Sequence, residues 1–186
     1  MPQSSQRAPE DVRDGGAGRY LRLLGRLEEA EALDRPVEAA APFAQRLVSR
    51  EPLRRFLHGD ATGIPVHVML TDVPLGAWWM AMFLDLFPDS SSRRSATRLV
   101  GLGVLSAAPT GLAGWAEWAL ADHPTKRVGV VHAAVNGATV AIFVASWAAR
   151  VRDHHELGVR LARVGGLATV VGCSLGGHMS STRRGM

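Results

Sequence analysis

Six polar side chains interrupt long apolar stretches of this chain: His67, Asp72, Glu117, His132, Asn136 and His178. Ionisable groups in such settings are costly to bury, so each is a candidate for function. Imidazoles from different helices can ligate one b-type haem or a metal, as helical-bundle cores do. A ligating imidazole needs its other ring nitrogen held by a carboxylate or carbonyl. His67, His132 and His178 are therefore the candidate cofactor ligands. Asp72, Glu117 and Asn136 form the supporting polar cluster. The same groups could relay protons, or could simply clasp helix to helix by hydrogen bonds, with no ligand.

The elements that carry these residues are four apolar runs of about the length that crosses a bilayer. They cover residues 65–87, 99–120, 128–149 and 161–180. The third has no Asp, Glu, Lys or Arg, and the second has only Glu117. Buried helices of a soluble bundle would show a charged outer face, which these lack. Internal Gly and Pro suit spanning helices, and Trp78, Trp79, Trp115, Trp118 and Trp147 suit interfacial belts. In an up-down-up-down arrangement all six polar residues fall in one leaflet, on the side of the termini. Helical phase aligns Gly103, Ala107, Thr110, Gly114 and Glu117 on one stripe. It aligns His132, Asn136, Thr139 and Ser146 on another, and Gly165, Thr169, Gly172 and Gly176 on a third. His67, Thr71, Pro74 and Trp78 share a face, with Asp72 close by. Pro74 frees a carbonyl near residue 70. With every histidine in one leaflet, at most one haem fits, and a relay across the whole membrane lacks partners.

The near-neutral mean hydropathy of +0.06 conceals this segregation. Residues 1–64 balance ten arginines against ten acids, and residues 65–186 carry the whole net charge of +4. Residues 1–18 read as a disordered tail without the apolar core of a signal peptide. Residues 19–60 read as an amphipathic helical arm, broken at Asp34-Arg35-Pro36. Arg46, Arg50, Arg54 and Arg55 of this arm could meet lipid headgroups. The transmembrane domain covers residues 61–182. His58, His123, His154 and His155 read as loop residues. Cys173 is the single cysteine, which excludes a disulfide or an iron–sulfur motif in this chain. No phosphate-binding loop is present. The pI of about 10.5 fits lipid headgroups better than nucleic acid, because the aromatics are not interleaved with the arginines. Lys and Arg divide almost evenly between the two sides, so the positive-inside rule decides little. The lack of an export signal favours cytoplasmic termini.

The segments LHGDATGIPVHVMLTDVPLGAWWMAMFLD, PTGLAGWAEW, KRVGVVHAAVNGATVAIFVASWAAR and LGGHMSSTRRG resemble an uncharacterised bacterial membrane family, domain of unknown function 2231. The resemblance covers about residues 27–184 in colinear order. It implies a four-helix membrane module, and a redox setting, since some members are fused to a Rieske iron–sulfur domain. It places His67, Asp72, Pro74, Gly76, Glu117, His132, Asn136 and His178 on the family's motifs. Two positions depart: Gly63-Ile64-Pro65 stands where the family has Gly-His-Pro, and Glu117-Trp118 where it has Asp-Trp.

The expectation is thus an all-α, four-helix, up-down-up-down transmembrane bundle preceded by amphipathic helices. It would sit in a bacterial inner membrane as a module of electron transfer with one haem b. The alternatives are a structural or interaction protein, or a small proton-relay protein, in each case more a module than an enzyme. The bilayer is its first partner, with a separate redox protein and a second copy of the chain as candidates. Nucleic acid is not one.

Overall fold

A computed structural model describes residues 16–183. The expected tail up to residue 15 and the last three residues lie outside it. The described residues form helices α1 (Gly16–Glu29), α2 (Asp34–Val48) and α3 (Glu51–Leu57). These are followed by α4 (Val66–Leu84), α5 (Ser90–Ala119), α6 (His123–Val151) and α7 (His155–Arg183), with no strand among them. A 3₁₀ turn, Glu31–Leu33, joins α1 to α2.

The long helices outrun the apolar runs because their ends are capped inside the charged clusters. Asp89 accepts a hydrogen bond from the Ser92 amide at 2.9 Å, and Asp122 from the Thr125 amide at 2.8 Å. Arg93, Arg94 and Arg98 are therefore helical, where the charge pattern suggests a loop. Pro74 lies inside α4 without ending it. The carbonyl it frees, that of Leu70, lies 3.3 Å from the Thr110 hydroxyl, whose shorter bond is to the Ser106 carbonyl at 2.8 Å.

Helices α5, α6 and α7 are long and apolar enough to cross a membrane, and most of each apolar window is not buried inside the protein. Leu105 is 66% and Leu167 73% exposed, which a bilayer accommodates and water does not. Helix α4 has 19 residues and carries His67 and Asp72 in its first two turns. It is not among the helices that meet that measure.

Short connections make neighbours antiparallel: α4 packs along α5, and α6 along α7. Between the two hairpins, Trp78 stacks on Phe143 with centroids 4.1 Å apart and planes 6° from parallel. Trp78 is thus a core residue, not an interfacial one. The arm does not lie free. Leu24 of α1 is buried with Val128 and Leu175. Val37 and Ala44 of α2 are buried against Trp118. Gly59 and Gly63, both with positive φ, turn the chain from the arm into α4. A Cβ on Gly59 would collide with the Ile64 backbone.

The two hairpins repeat. His67 and His132, Trp78 and Phe143, and Asp85 and Arg150 are each separated by 65 positions along the first helices. Gly103 and Gly165, Thr110 and Gly172, and Gly114 and Gly176 are separated by 62 along the second. Gly103 makes room for Trp78 as Gly165 does for Phe143, and Gly114 for His67 as Gly176 does for His132. Because the equivalent residues Trp78 and Phe143 touch each other, the hairpins are related by an approximate two-fold axis running along the bundle.

Candidate functional site

His67 sits in the first turn of α4, against α5, where Gly114 has no side chain: a Cβ there would come within 3.0 Å of the ring. Its Nδ1 donates to the Thr110 carbonyl at 2.9 Å. His132, in the third turn of α6, repeats this on α7, with Nδ1 donating to the Gly172 carbonyl at 3.0 Å over Gly176. A carbonyl only accepts, so in each neutral ring Nδ1 carries the proton and Nε2 the lone pair. Nε2 of His132 accepts from the Asn136 amide at 2.9 Å. Nε2 of His67 has no hydrogen-bond partner among the described residues.

Glu117 is buried at the end of α5, with its Oε1 3.7 Å from Nε2 of His58. Nδ1 of His58 donates to the Arg54 carbonyl at 2.8 Å. A lone pair on Nε2 facing a carboxylate oxygen is satisfied only when one of the two carries a proton. His58 is thus part of the polar end of the bundle, where sequence reasoning made it a loop residue. The pairing depends on the Gly59–Gly63 turn folding α3 back over α5, for which the only local signal is the glycine spacing.

Two of the six expected residues lie elsewhere. Asp72 is exposed and makes no hydrogen bond or ion pair among the described residues. It is one residue past Thr71, enough to turn it off the inward face of α4. His178 bonds Glu28 of α1 at 2.8 Å, so it joins the arm to α7 instead of meeting His67 and His132. Arg127 does the same for α6, holding both oxygens of Asp34 at 2.7 and 2.8 Å and the Glu28 carbonyl at 2.9 Å. The Arg127 hydrogen bonds hold the Asp34 carboxyl below its ordinary range. Among the described residues no group of three His, Cys, Asp or Glu could hold a metal ion.

Sequence reasoning also missed a buried ion pair at the opposite end. Arg150 binds both oxygens of Asp85 at 2.7 and 2.6 Å, with the side chains 0% and 2% exposed. Arg150 Nε also donates to Ser146 Oγ at 3.3 Å, and that hydroxyl donates to the Gly158 carbonyl at 2.6 Å. Asp85 falls near the end of the first apolar run and Arg150 just after the third, so each alone reads as a charge at a helix end. Their spacing of 65, the same as between His67 and His132, is the signal that pairs them.

Compared with known proteins, the chain matches no curated protein and no solved structure. Residues 63–183 match a family described as "Predicted membrane protein (DUF2231)". That stretch begins at the Gly63 turn and contains both hairpins, leaving the arm outside. On this match, spanning well over half its length, the chain belongs to the DUF2231 family of membrane proteins.

Proposed function

We propose that this protein is a non-enzymatic structural or interaction module of the membrane, whose buried polar residues join helices and seat the arm. One observation carries the reading. At equivalent places in both hairpins an imidazole donates Nδ1–H to a backbone carbonyl of the next helix, over a glycine that leaves room for the ring. Interhelical bonds of this kind contribute about 0.6–2 kcal/mol each. All four long helices cross the bilayer in this reading. Contacts from His67 on Thr110 to Trp78 on Gly103 hold α4 antiparallel to α5, so it traverses the same depth despite its two polar residues. The setting is a bacterial inner membrane, with the termini on the cytoplasmic side.

Electron transfer through one haem b is the second reading, favoured by the open Nε2 lone pair of His67. The residues fit that group in part. Both imidazoles carry the proton on Nδ1 and would offer Nε2 to a haem iron, but Nε2 of His132 is already engaged by Asn136. A haem held there would supply a one-electron couple, with a separate redox protein as partner.

The test is to purify the full chain, record its spectrum and metal content, and melt it beside His67→Phe, His132→Phe and Asn136→Leu. The clasp predicts no Soret band, no metal, and a loss of about 1 kcal/mol for each variant. A Soret band that His67→Phe or His132→Phe removes overturns it in favour of haem. In that case Asn136→Leu should raise occupancy by freeing His132.

A further inference from the structure

The end of the bundle opposite the arm carries three arginines whose guanidinium groups have no ion-pair partner among the described residues. Arg93, Arg94 and Arg98 occupy the first turns of α5 and are exposed, and their guanidinium groups make no hydrogen bond or ion pair among the described residues. Beside them the α6–α7 turn, with Asp153 and His155, borders a cavity of about 490 Å³. Arg150 also lines it, but its guanidinium is engaged by Asp85. The cavity therefore presents three uncommitted guanidinium groups against one carboxylate, Asp153. It lies where the charged start of α5 meets the apolar run that begins at Leu99, which is the level of lipid phosphates if α5 crosses the bilayer. Guanidinium forks match phosphate oxygens two at a time. The positive end of the α5 dipole adds to the same field.

We propose that this cavity binds a phosphate-bearing anion, held by Arg93, Arg94 and Arg98 and opposed by Asp153. An anionic phospholipid headgroup and a soluble phosphate share the required chemistry. Asp153 helps to separate a built site from general attraction. It sits at φ 62°, a left-handed conformation that Asn also tolerates, so Asp153→Asn removes the opposing charge while sparing the turn.

The experiment uses the full chain in nanodiscs. In phosphatidylcholine discs, inorganic pyrophosphate is titrated by calorimetry. In discs that also contain phosphatidylglycerol, the lipids retained on the protein are counted by native mass spectrometry. Saturable binding is expected. Arg93→Gln, Arg94→Gln and Arg98→Gln should each raise Kd about fivefold. Asp153→Asn should tighten binding, and Arg26→Gln, an exposed arginine on α1, should leave it unchanged. Unchanged melting temperatures will show that the variants fold. Pyrophosphate binding in neutral discs assigns the site to soluble phosphates, and retention of phosphatidylglycerol alone assigns it to a headgroup. Binding in neither arm overturns the proposal. So does binding that the triple arginine variant leaves intact, or that Arg26→Gln weakens as much as Arg98→Gln does.

Discussion

At the scale of single residues, glycines decide where the large side chains go. Gly103 faces Trp78, which cannot yield, because its other side is stacked on Phe143. A methyl group at Gly103 would overlap the indole, so Gly103→Ala should cost about 1–3 kcal/mol, the usual range for overpacking. Gly165→Ala, whose Cβ would come within 2.8 Å of the Phe143 ring, should cost a similar amount. Gly111 lies on the same helix as Gly103, and a methyl group added there would meet nothing within 4 Å. Gly111→Ala should therefore stabilise by about 0.5–1 kcal/mol through helix propensity alone. Thermal melts of the three variants in one detergent would check this. Equal losses at Gly103 and Gly111 would mean that Trp78 is not held by the stack. The inward stripe of small residues on α5 was legible in the sequence, because a helix repeats its face every three or four residues. That an indole fills the gap at Gly103 was not, because the contact joins positions 25 residues apart across a turn.

At the scale of elements, the arm is the part that sequence reasoning described least well. Its helices were legible from their amphipathic spacing. Their docking was not, because Leu24, Val37 and Ala44 find their partners about 70 to 150 positions away. Polar contacts make the docking pH-sensitive. The Asp34 carboxyl is held below its ordinary range by Arg127, with His123 3.7 Å away adding to the effect when protonated. A lowered folded-state value means that this contribution is fully present above the ordinary carboxylate range. It is lost as pH falls through the lowered value. Protection of the α1 and α2 amides relative to their intrinsic exchange rates should therefore hold from neutral pH down to that range and fall below it. Asp34→Asn should quicken exchange already at neutral pH and flatten the acid step. An acid step of the same size in the variant would assign the sensitivity to another group. Helix ends show the same limit of local reasoning. The start of α5 falls nine positions before its apolar run, because a helix ends where its cap lies and not where its hydrophobicity does.

At the scale of the whole molecule, the repeat explains why an acid and a base meet in the bundle. Residues related by a two-fold axis and lying near it face each other, so identical charges there would repel. Asp85 and Arg150 occupy equivalent positions with opposite charge, so the hairpins meet there in an ion pair. Breaking it leaves a charge buried without a partner, a loss of about 3–5 kcal/mol. Arg150→Asp and Asp85→Arg, which set two like charges side by side in place of the pair, should each lose at least that much. The exchanged double variant, Asp85→Arg with Arg150→Asp, rebuilds the pair rotated by half a turn about the axis, and so should recover most of the loss. Recovery will fall short of complete, because Ser146, which bonds Arg150, has Ala81 as its counterpart, and Ala81 offers no hydroxyl to the exchanged arginine. Adding Ala81→Ser, Ser146→Ala and Ala96→Gly should close the gap, the last because Gly158 makes room for Arg150 and has Ala96 as its counterpart. The measurement is the unfolding midpoint of the five proteins in detergent, compared as a double-mutant cycle. A double variant no more stable than the singles would mean that the two hairpins are not interchangeable at this level of the bundle, and that the axis relates their backbones alone.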